Sequence, residues 1–434
     1  MDIDKITPLT RVKIVVSGSS FSGKLLPKEG ETHILKLDSG YNVGILPKNV
    51  ESVEILTENE VPVTSEKISI NQNNKLPKVK ILHTGGTIAS KVDYKTGGVI
   101  ADFTPEALIS LFPELSEIAN IESEFLGNMW SDDFRFIHFN KLAEAVLKGA
   151  KEGITKFIIT SGTDFLHYLS SALSFILKDV PVSVLVVGAQ RSSDRGSSDA
   201  GMNLIAATTF LTQTNFKIVA VCMHASIDDA TCNIIQGTHA RKLHSTRRDA
   251  FKSVNAPVLA KVDFFKRTVS MLEKLTEIQS TEIPENLPLF NEKIKVGLVY
   301  SKPNFYVEEL EIYENFDGLV LAGSGLGHFP ISKPSEGCEE HEKIKTILSD
   351  LASKLPVVMS TQTINGRVHM NVYAPGRELQ EMGILGHGSV MTPETSYMKL
   401  AWLLSNYSRE ETKQLFMKDL VGELNSLEPN KFLN

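Results

Sequence analysis

The chain has 434 residues and a formal net charge of −7, long enough for two or three domains and too acidic overall to hold nucleic acid by bulk charge. Hydrophobic residues at 42% and charged residues at 22% are ordinary globular values, and no apolar run approaches the ~18 residues of a membrane span. Three cysteines without a CxxC pair (Cys222, Cys232, Cys338) and a polar start at Met1-Asp-Ile-Asp-Lys5 predict a reduced, cytoplasmic chain with no disulfide frame and no signal peptide.

Residues 11–16, 22–26, 32–37 and 52–56 read as short strands, punctuated by Gly18, Gly23, Pro27, Gly30 and Gly40. Their spacing fits a small SH3-like β-barrel over residues 1–60. Within it, Gly18-Ser-Ser-Phe-Ser-Gly-Lys24 approaches a phosphate-binding loop. The next residue, Leu25, has no hydroxyl for Mg²⁺, and the setting is a hairpin instead of strand-to-helix. A polar stretch at 58–75 predicts a linker, placed at 61–76.

From Lys78 the pattern changes to alternating strands and helices, which predicts a mostly parallel sheet. Strands are expected at 78–82, 156–160, 182–187 and 217–223. Helices are expected from Thr104-Pro105-Glu106, over 139–151, from Leu166 to Ile176, and near 202–211. A shift to Glu, Pro and Thr at 270–293 marks a boundary between an α/β domain at 77–275 and a smaller α/β domain at 276–434. The latter has strands at 296–300, 318–322 and 357–360 and helices near 397–404 and 409–420.

The chemistry-bearing stretch is His83-Thr-Gly-Gly-Thr-Ile88 at the end of the first strand of the sheet. Gly85 and Gly86 break the strand, and Thr84 and Thr87 are expected to present hydroxyls at the edge where open α/β sheets bind ligands. A helix-capping role for these threonines is the plain alternative. The spacing of a dinucleotide-binding loop is absent.

Thr84-Gly-Gly-Thr-Ile88 resembles the first active-site motif of the L-asparaginase/glutaminase family, and Gly162-Thr163-Asp164 resembles its second. Gly188-Ala-Gln-Arg191 with Ser197-Ser-Asp199, Gly323-Ser-Gly-Leu-Gly327 and Met391-Thr-Pro-Glu-Thr395 extend the likeness over roughly residues 77–410. The resemblance implies a two-domain asparaginase-like α/β body. In it Thr87 is the nucleophile, Thr163, Asp164 and Lys242 are catalytic, and Ser131 and Asp132 bind substrate. Hydrolysis of a carboxamide requires a nucleophile, a base and oxyanion donors. A threonine hydroxyl is a weak nucleophile, so Lys242 is expected to take its proton, relayed through Thr163 and held by Asp164. Whether Thr163 and Asp164 relay protons or bind substrate stays open from sequence. Two positions depart from the family. The loop tyrosine aligns near Val99, with Tyr94 earlier, and Leu326 stands where secreted asparaginases have asparagine.

The added barrel, Trp130-Ser-Asp-Asp-Phe-Arg-Phe136 and the run from His239 to Arg248 resemble one branch of that family, the D subunits of archaeal glutamyl-tRNA(Gln) amidotransferases. That resemblance implies glutamine hydrolysis, with ammonia passed to the amidotransferase's E subunit, which converts Glu-tRNA(Gln) to Gln-tRNA(Gln) with ATP and Mg²⁺. It further implies a homodimer within a heterotetramer, contact with tRNA mainly through the partner, and no cofactor in this chain. His239 and His244 lack metal-ligand spacing. Arg241, Arg247 and Arg248 are read as supports of an active-site loop, with a nucleic-acid contact as the alternative. Two other readings remain, a stand-alone L-asparaginase/glutaminase and a non-catalytic tRNA- or partner-binding scaffold.

Overall fold

The computed structural model describes residues 3–8, 10–26, 28, 32–37, 42–56, 75–86, 88, 90–92, 99–101, 112–191, 198–279 and 282–424. Residues 61–74 of the predicted linker, the predicted helix from Thr104, Thr87 and Tyr94 fall outside them.

The N-terminal unit is an antiparallel sheet of β1 (Arg11–Val16), β2 (Ser19–Leu25), β3 (His33–Leu37), β4 (Asn42–Ile45) and β5 (Val50–Ile55), in the order β4-β3-β2-β1-β5. Alternate residues Val12, Ile14, Leu25, Leu35, Ile45 and Val53 bury one shared core with Ile3 and Ile6, as period-two side-chain direction requires. The glycine-rich run is the β1–β2 hairpin. Gly18 takes φ 74° in its turn and donates its N–H to Glu51 Oε1 at 3.1 Å. A hairpin has no helix N-terminus to receive a phosphate.

The body starts with β6 (Lys78–His83), followed by the short pair β7 (Ser90–Val92) and β8 (Val99–Ala101), in which Lys91 faces Ile100. Then come β9 (Asn120–Phe125), α1 (Phe136–Lys151), β10 (Lys156–Thr160), α2 (Leu166–Ile176), β11 (Ser183–Val187), α3 (Ala200–Gln213) and β12 (Ile218–His224), numbering helices longer than one turn. Next are β13 (Thr231–Gln236), the hairpin β14 (Ala240–Lys242) and β15 (Phe251–Ser253), β16 (Ala260–Asp263) and β17 (Thr268–Met271).

The main sheet runs β17-β16-β13-β12-β11-β10-β6-β9. The strands from β9 to β12 pair in parallel, and β13, β16 and β17 extend the sheet antiparallel beyond β12. The sequence reading anticipated four of the five parallel strands and missed β9 at the sheet's edge, where Glu122 and Glu124 break the apolar run. Those four are covered on both faces and therefore read as unbroken apolar runs. In β11, Val184 and Val186 face the core beneath α1 and α2, while Leu185 and Val187 face the one beneath α3.

The C-terminal unit comprises β18 (Val296–Tyr300), β19 (Gly318–Gly323), α4 (Glu340–Lys354), β20 (Val357–Thr361), α5 (Ala374–Glu381), α6 (Pro393–Asn406) and α7 (Arg409–Leu415). Its three-stranded parallel sheet has β19 in the middle. The two α/β units share a core: Trp402, Leu400 and Met398 of α6 join Leu173, Phe175 and Ile176 of α2 in one cluster. Trp402 stacks on Phe175 with ring centroids 5.7 Å apart. Helix α6 starts with Thr392 as N-cap, accepting from Thr395 N, and with proline inside its first turn, both favourable there. No described helix is long and apolar enough to cross a membrane.

Candidate active site

Strands β6 and β10 lie side by side in parallel, with His83 opposite Thr160, so the segments leaving their C-terminal ends begin together. Thr84 is 1% exposed, and its hydroxyl donates to Thr160 O at 2.8 Å. This corrects the expectation that Thr84 presents its hydroxyl to a ligand; it ties two strands together, because a buried hydroxyl needs an acceptor. Gly85 and Gly86 then turn the chain at φ 111° and 81°. A Cβ on Gly86 would stand 2.8 Å from Gly162 N and 2.9 Å from Ser161 C. The residue before Thr87 therefore lies directly on the backbone of the Ser161-Gly-Thr-Asp164 segment.

That segment receives Lys242 from the β14–β15 hairpin. Lys242 Nζ donates to Thr163 Oγ1 at 2.8 Å and to Asp164 Oδ1 at 2.8 Å. The lysine side chain is 10% exposed and the Asp164 side chain 73%. A sheltered ammonium thus bridges a hydroxyl to a carboxylate that remains open to incoming ligands. A lone surface lysine would be solvated on all sides; this one is packed in, with its donors directed.

Ser131 and Asp132 begin a short turn of helix at Ser131–Asp133. Ser131 is 2% exposed, and its Oγ accepts from Phe165 N at 3.2 Å, one residue past Asp164. Asp132 points outward and is exposed. Trp130, just before them, is 72% exposed. The third motif is braced by Asp199, which is 0% exposed and accepts from Gln190 N at 3.0 Å and Arg191 N at 2.9 Å. Asn203 donates to the same carboxylate at 3.1 Å and to Gly188 O at 2.9 Å.

The structure therefore brings Thr163, Asp164 and Lys242 together and sets Ser131 against the same segment. Leu326 belongs to the C-terminal unit, where its carbonyl accepts from His369 N at 2.8 Å. His239 is structural, with Nδ1 2.8 Å from Val254 O and Nε2 3.0 Å from Gly422 O. Among the described residues, no group of three or more His, Cys, Asp or Glu is arranged to hold a metal. Arg247 chelates Asp249, and Arg248 binds Asp229; both arginines brace the loop after Lys242.

Sequence reasoning named Arg241 as a loop support and had Glu394 inside a family motif, but missed that the two pair. Arg241 Nε lies 3.1 Å from both Glu394 oxygens, and its Nη2 lies 2.6 Å from Oε1. Burial pushes the Glu394 carboxyl upward, and the Arg241 bonds more than reverse this, leaving it below its ordinary range. His167, 7% exposed, is pushed down to about 4, chiefly by burial, with Glu394, Arg241, Lys242 and Asp164 all acting on it. The pairing itself left no local signal, since the two residues lie 153 positions apart.

Residues 78–276 match the family model for the N-terminal part of asparaginase, and residues 295–417 match that of the glutaminase/asparaginase C-terminal domain. Residues 6–56 match the GatD N-terminal domain. The D subunit of a glutamyl-tRNA(Gln) amidotransferase from Methanococcus maripaludis is 40% identical over 418 residues, covering 95% of this chain and 97% of the relative. Its counterpart from Methanosphaera stadtmanae is 37% identical, covering 100% and 97%. The thermostable L-asparaginase from Thermococcus kodakarensis superposes with a TM-score of 0.68 at 30% identity, covering 80% of this chain and 98% of that one.

Proposed function

The chain belongs to the family of glutamyl-tRNA(Gln) amidotransferase D subunits, asparaginase-like proteins with amidohydrolase-type activity, and on that premise we propose that it hydrolyses glutamine through Thr87 and delivers the ammonia to a partner subunit. The observation that carries the reading is the Lys242 ammonium group held 2.8 Å from both Thr163 Oγ1 and Asp164 Oδ1, beside the segment that leads into Thr87.

In this mechanism Thr87 Oγ attacks the side-chain carboxamide carbon of glutamine. Its proton moves to the lysine nitrogen through the Thr163 hydroxyl, which accepts from one neighbour as it donates to the other. The tetrahedral intermediate collapses with the C–N bond breaking, and the proton returns to the leaving nitrogen, which departs as ammonia. Water then attacks the glutamyl ester on Thr87, releasing glutamate and restoring the hydroxyl. Exposed Asp164 suits the α-ammonium group of the substrate. Such a group competes with Lys242 for the carboxylate, and once displaced the lysine must first give one proton to solvent, so that its neutral amine can take the proton of Thr87. Ser131 holds the backbone after Asp164, and exposed Asp132 lies at the same rim.

Under this proposal the partner is the amidotransferase's E subunit, which uses ATP and Mg²⁺ to activate Glu-tRNA(Gln), and ammonia completes the amidation. This chain then needs no cofactor of its own, and it works as a homodimer within a heterotetramer in the cytoplasm. Free glutamine hydrolysis would waste nitrogen, so the isolated chain should be slow. The test is steady-state ammonia release from glutamine and from asparagine, with and without charged tRNA and the E subunit. Partner plus Glu-tRNA(Gln) should raise the glutamine rate by at least tenfold, which requires only about 1.4 kcal/mol. Thr87→Val should abolish release with the fold intact. Equal rates with charged, uncharged and no tRNA would instead identify a stand-alone hydrolase, and ammonia release surviving in Thr87→Val would remove the nucleophile.

A further inference from the structure

The strand that carries Lys242 is not part of the main sheet. Among the described residues β14 pairs with β15 alone, so no long ladder fixes its position. Hydrogen bonds made by the hairpin and the residues flanking it pin it to the C-terminal unit. Thr395 Oγ1 donates to Thr238 O at 2.8 Å. At the same open end of the hairpin, just after β15, Asn255, at φ 57°, donates to Val390 O at 2.8 Å and accepts from Gly366 N at 2.8 Å. On β14 itself Arg241 grips Glu394, whose side chain is 5% exposed, against 19% for the arginine.

Successive side chains of a strand leave opposite faces. Arg241 thus reaches the C-terminal unit while its neighbour Lys242 reaches Thr163 and Asp164. A planar guanidinium bonded by two nitrogens to a carboxylate fixes direction as well as distance, which a single ammonium contact does not. Burial opposes both charges, and the paired bonds more than offset it: Glu394 stays below its ordinary range and Arg241 above its own.

We propose that Arg241 and Glu394 are positioning residues for the amide hydrolysis: the C-terminal unit aims Lys242 through this fork, so the first α/β unit does not hold a complete site by itself. The inference rests on the role given to Lys242 above. Neither residue contacts substrate in this scheme; both act through the lysine. Glu394→Gln keeps size and one acceptor but loses the second, and Arg241→Lys keeps charge but loses the planar fork.

The test measures glutamine-dependent ammonia release by the full chain together with its amidotransferase partner and charged tRNA. Glu394→Gln should lower kcat at least about tenfold, because a misplacement of about 1 Å is enough to do so, with KM for glutamine changed less than about threefold. Added to Lys242→Met, it should cost less than about a further threefold, since a residue acting through the lysine has nothing left to position. If Glu394→Gln does not yield folded protein, Arg241→Lys gives the same kcat-against-KM reading. An inactive Lys242→Met beside a Glu394→Gln with wild-type kcat overturns the clamp and leaves the mechanism standing. Full multiplicative loss in the double variant overturns it too, since that is the mark of a purely structural role. Wild-type kcat in Lys242→Met overturns the mechanism itself.

Discussion

Gly86→Ala tests whether contact between the two motif segments sets the rate. At φ 81° any L-residue is strained, by roughly 1–2 kcal/mol. The added methyl would also meet Gly162 N at 2.8 Å and Ser161 C at 2.9 Å, against an ordinary contact of 3.4 Å or more. Both obstacles are backbone, so relief requires a displacement of about 0.6 Å between the segment leading into Thr87 and the one carrying Thr163 and Asp164. Catalytic constellations tolerate only about 0.5 Å, and a misplacement near 1 Å costs roughly 10²-fold in rate. We therefore expect kcat to fall by about 10²-fold and stability by roughly 1–3 kcal/mol. The control is Gly153→Ala, where φ is 87° and nothing lies within 4 Å of the new methyl. It should show a stability loss of about 1–2 kcal/mol from the strain alone, with kcat unchanged. Ammonia release at saturating glutamine and urea denaturation supply both readings. If the two variants retain the same kcat, the close approach of the two segments does not govern catalysis.

Thr84→Val should cost about 1 kcal/mol for the lost bond to Thr160 O and leave kcat within about twofold, in contrast to Thr87→Val; an inactive, folded Thr84→Val would place Thr84 in the chemistry after all. Glu423→Ala should destabilise by about 3–5 kcal/mol in urea melts, because it strands Lys399 with both side chains at 0% exposure; a loss under about 1 kcal/mol would show that the pair is not isolated from water. His167 has a folded-state value of about 4, below the ordinary 6.5. The unfolded chain therefore takes up its proton first as pH falls, so this contribution is full above about 6.5 and is lost progressively down to about 4. Between pH 7 and 5 it amounts to roughly 2 kcal/mol, which His167→Gln should remove from the pH dependence of the urea midpoint; an unchanged slope would refute the assignment.

Most of the parallel half of the sheet was legible because Phe157-Ile-Ile159 and Val184-Leu-Val-Val187 are apolar on both faces, a pattern few other elements share. Strands β9, β13, β16 and β17 were missed. Thr231, Lys261, Thr268 and Ser270 interrupt the apolar pattern at the edge of the sheet, where one face meets solvent. Strand β4 was hidden by Gly44 in its middle. At the site, motif order identified Thr163, Asp164 and Lys242 as a set. That Lys242 meets residues 79 and 78 positions away is a product of topology, which no local pattern encodes. Thr84 and Thr87 look alike in sequence, and only the neighbouring strand reveals that Thr84 bonds inward. The Arg241–Glu394 pair spans 153 positions and two units, beyond the reach of any local signal.

The core shared by α2 and α6 sets an order of assembly on the ribosome. Helix α2 emerges early in synthesis, yet the face that carries Phe175 stays uncovered until Trp402 arrives, and Trp402 also donates to Pro288 O at 2.7 Å. An N-terminal half released alone would expose that face, the kind of surface that draws chaperones or aggregates. A chain stopped at residue 390 should accordingly remain protease-sensitive in α2, and protection at that stage would contradict this order. Glu394 emerges in the same late stretch, so if it positions Lys242 as proposed, a chain stopped before it should release ammonia at least about tenfold more slowly than the full chain.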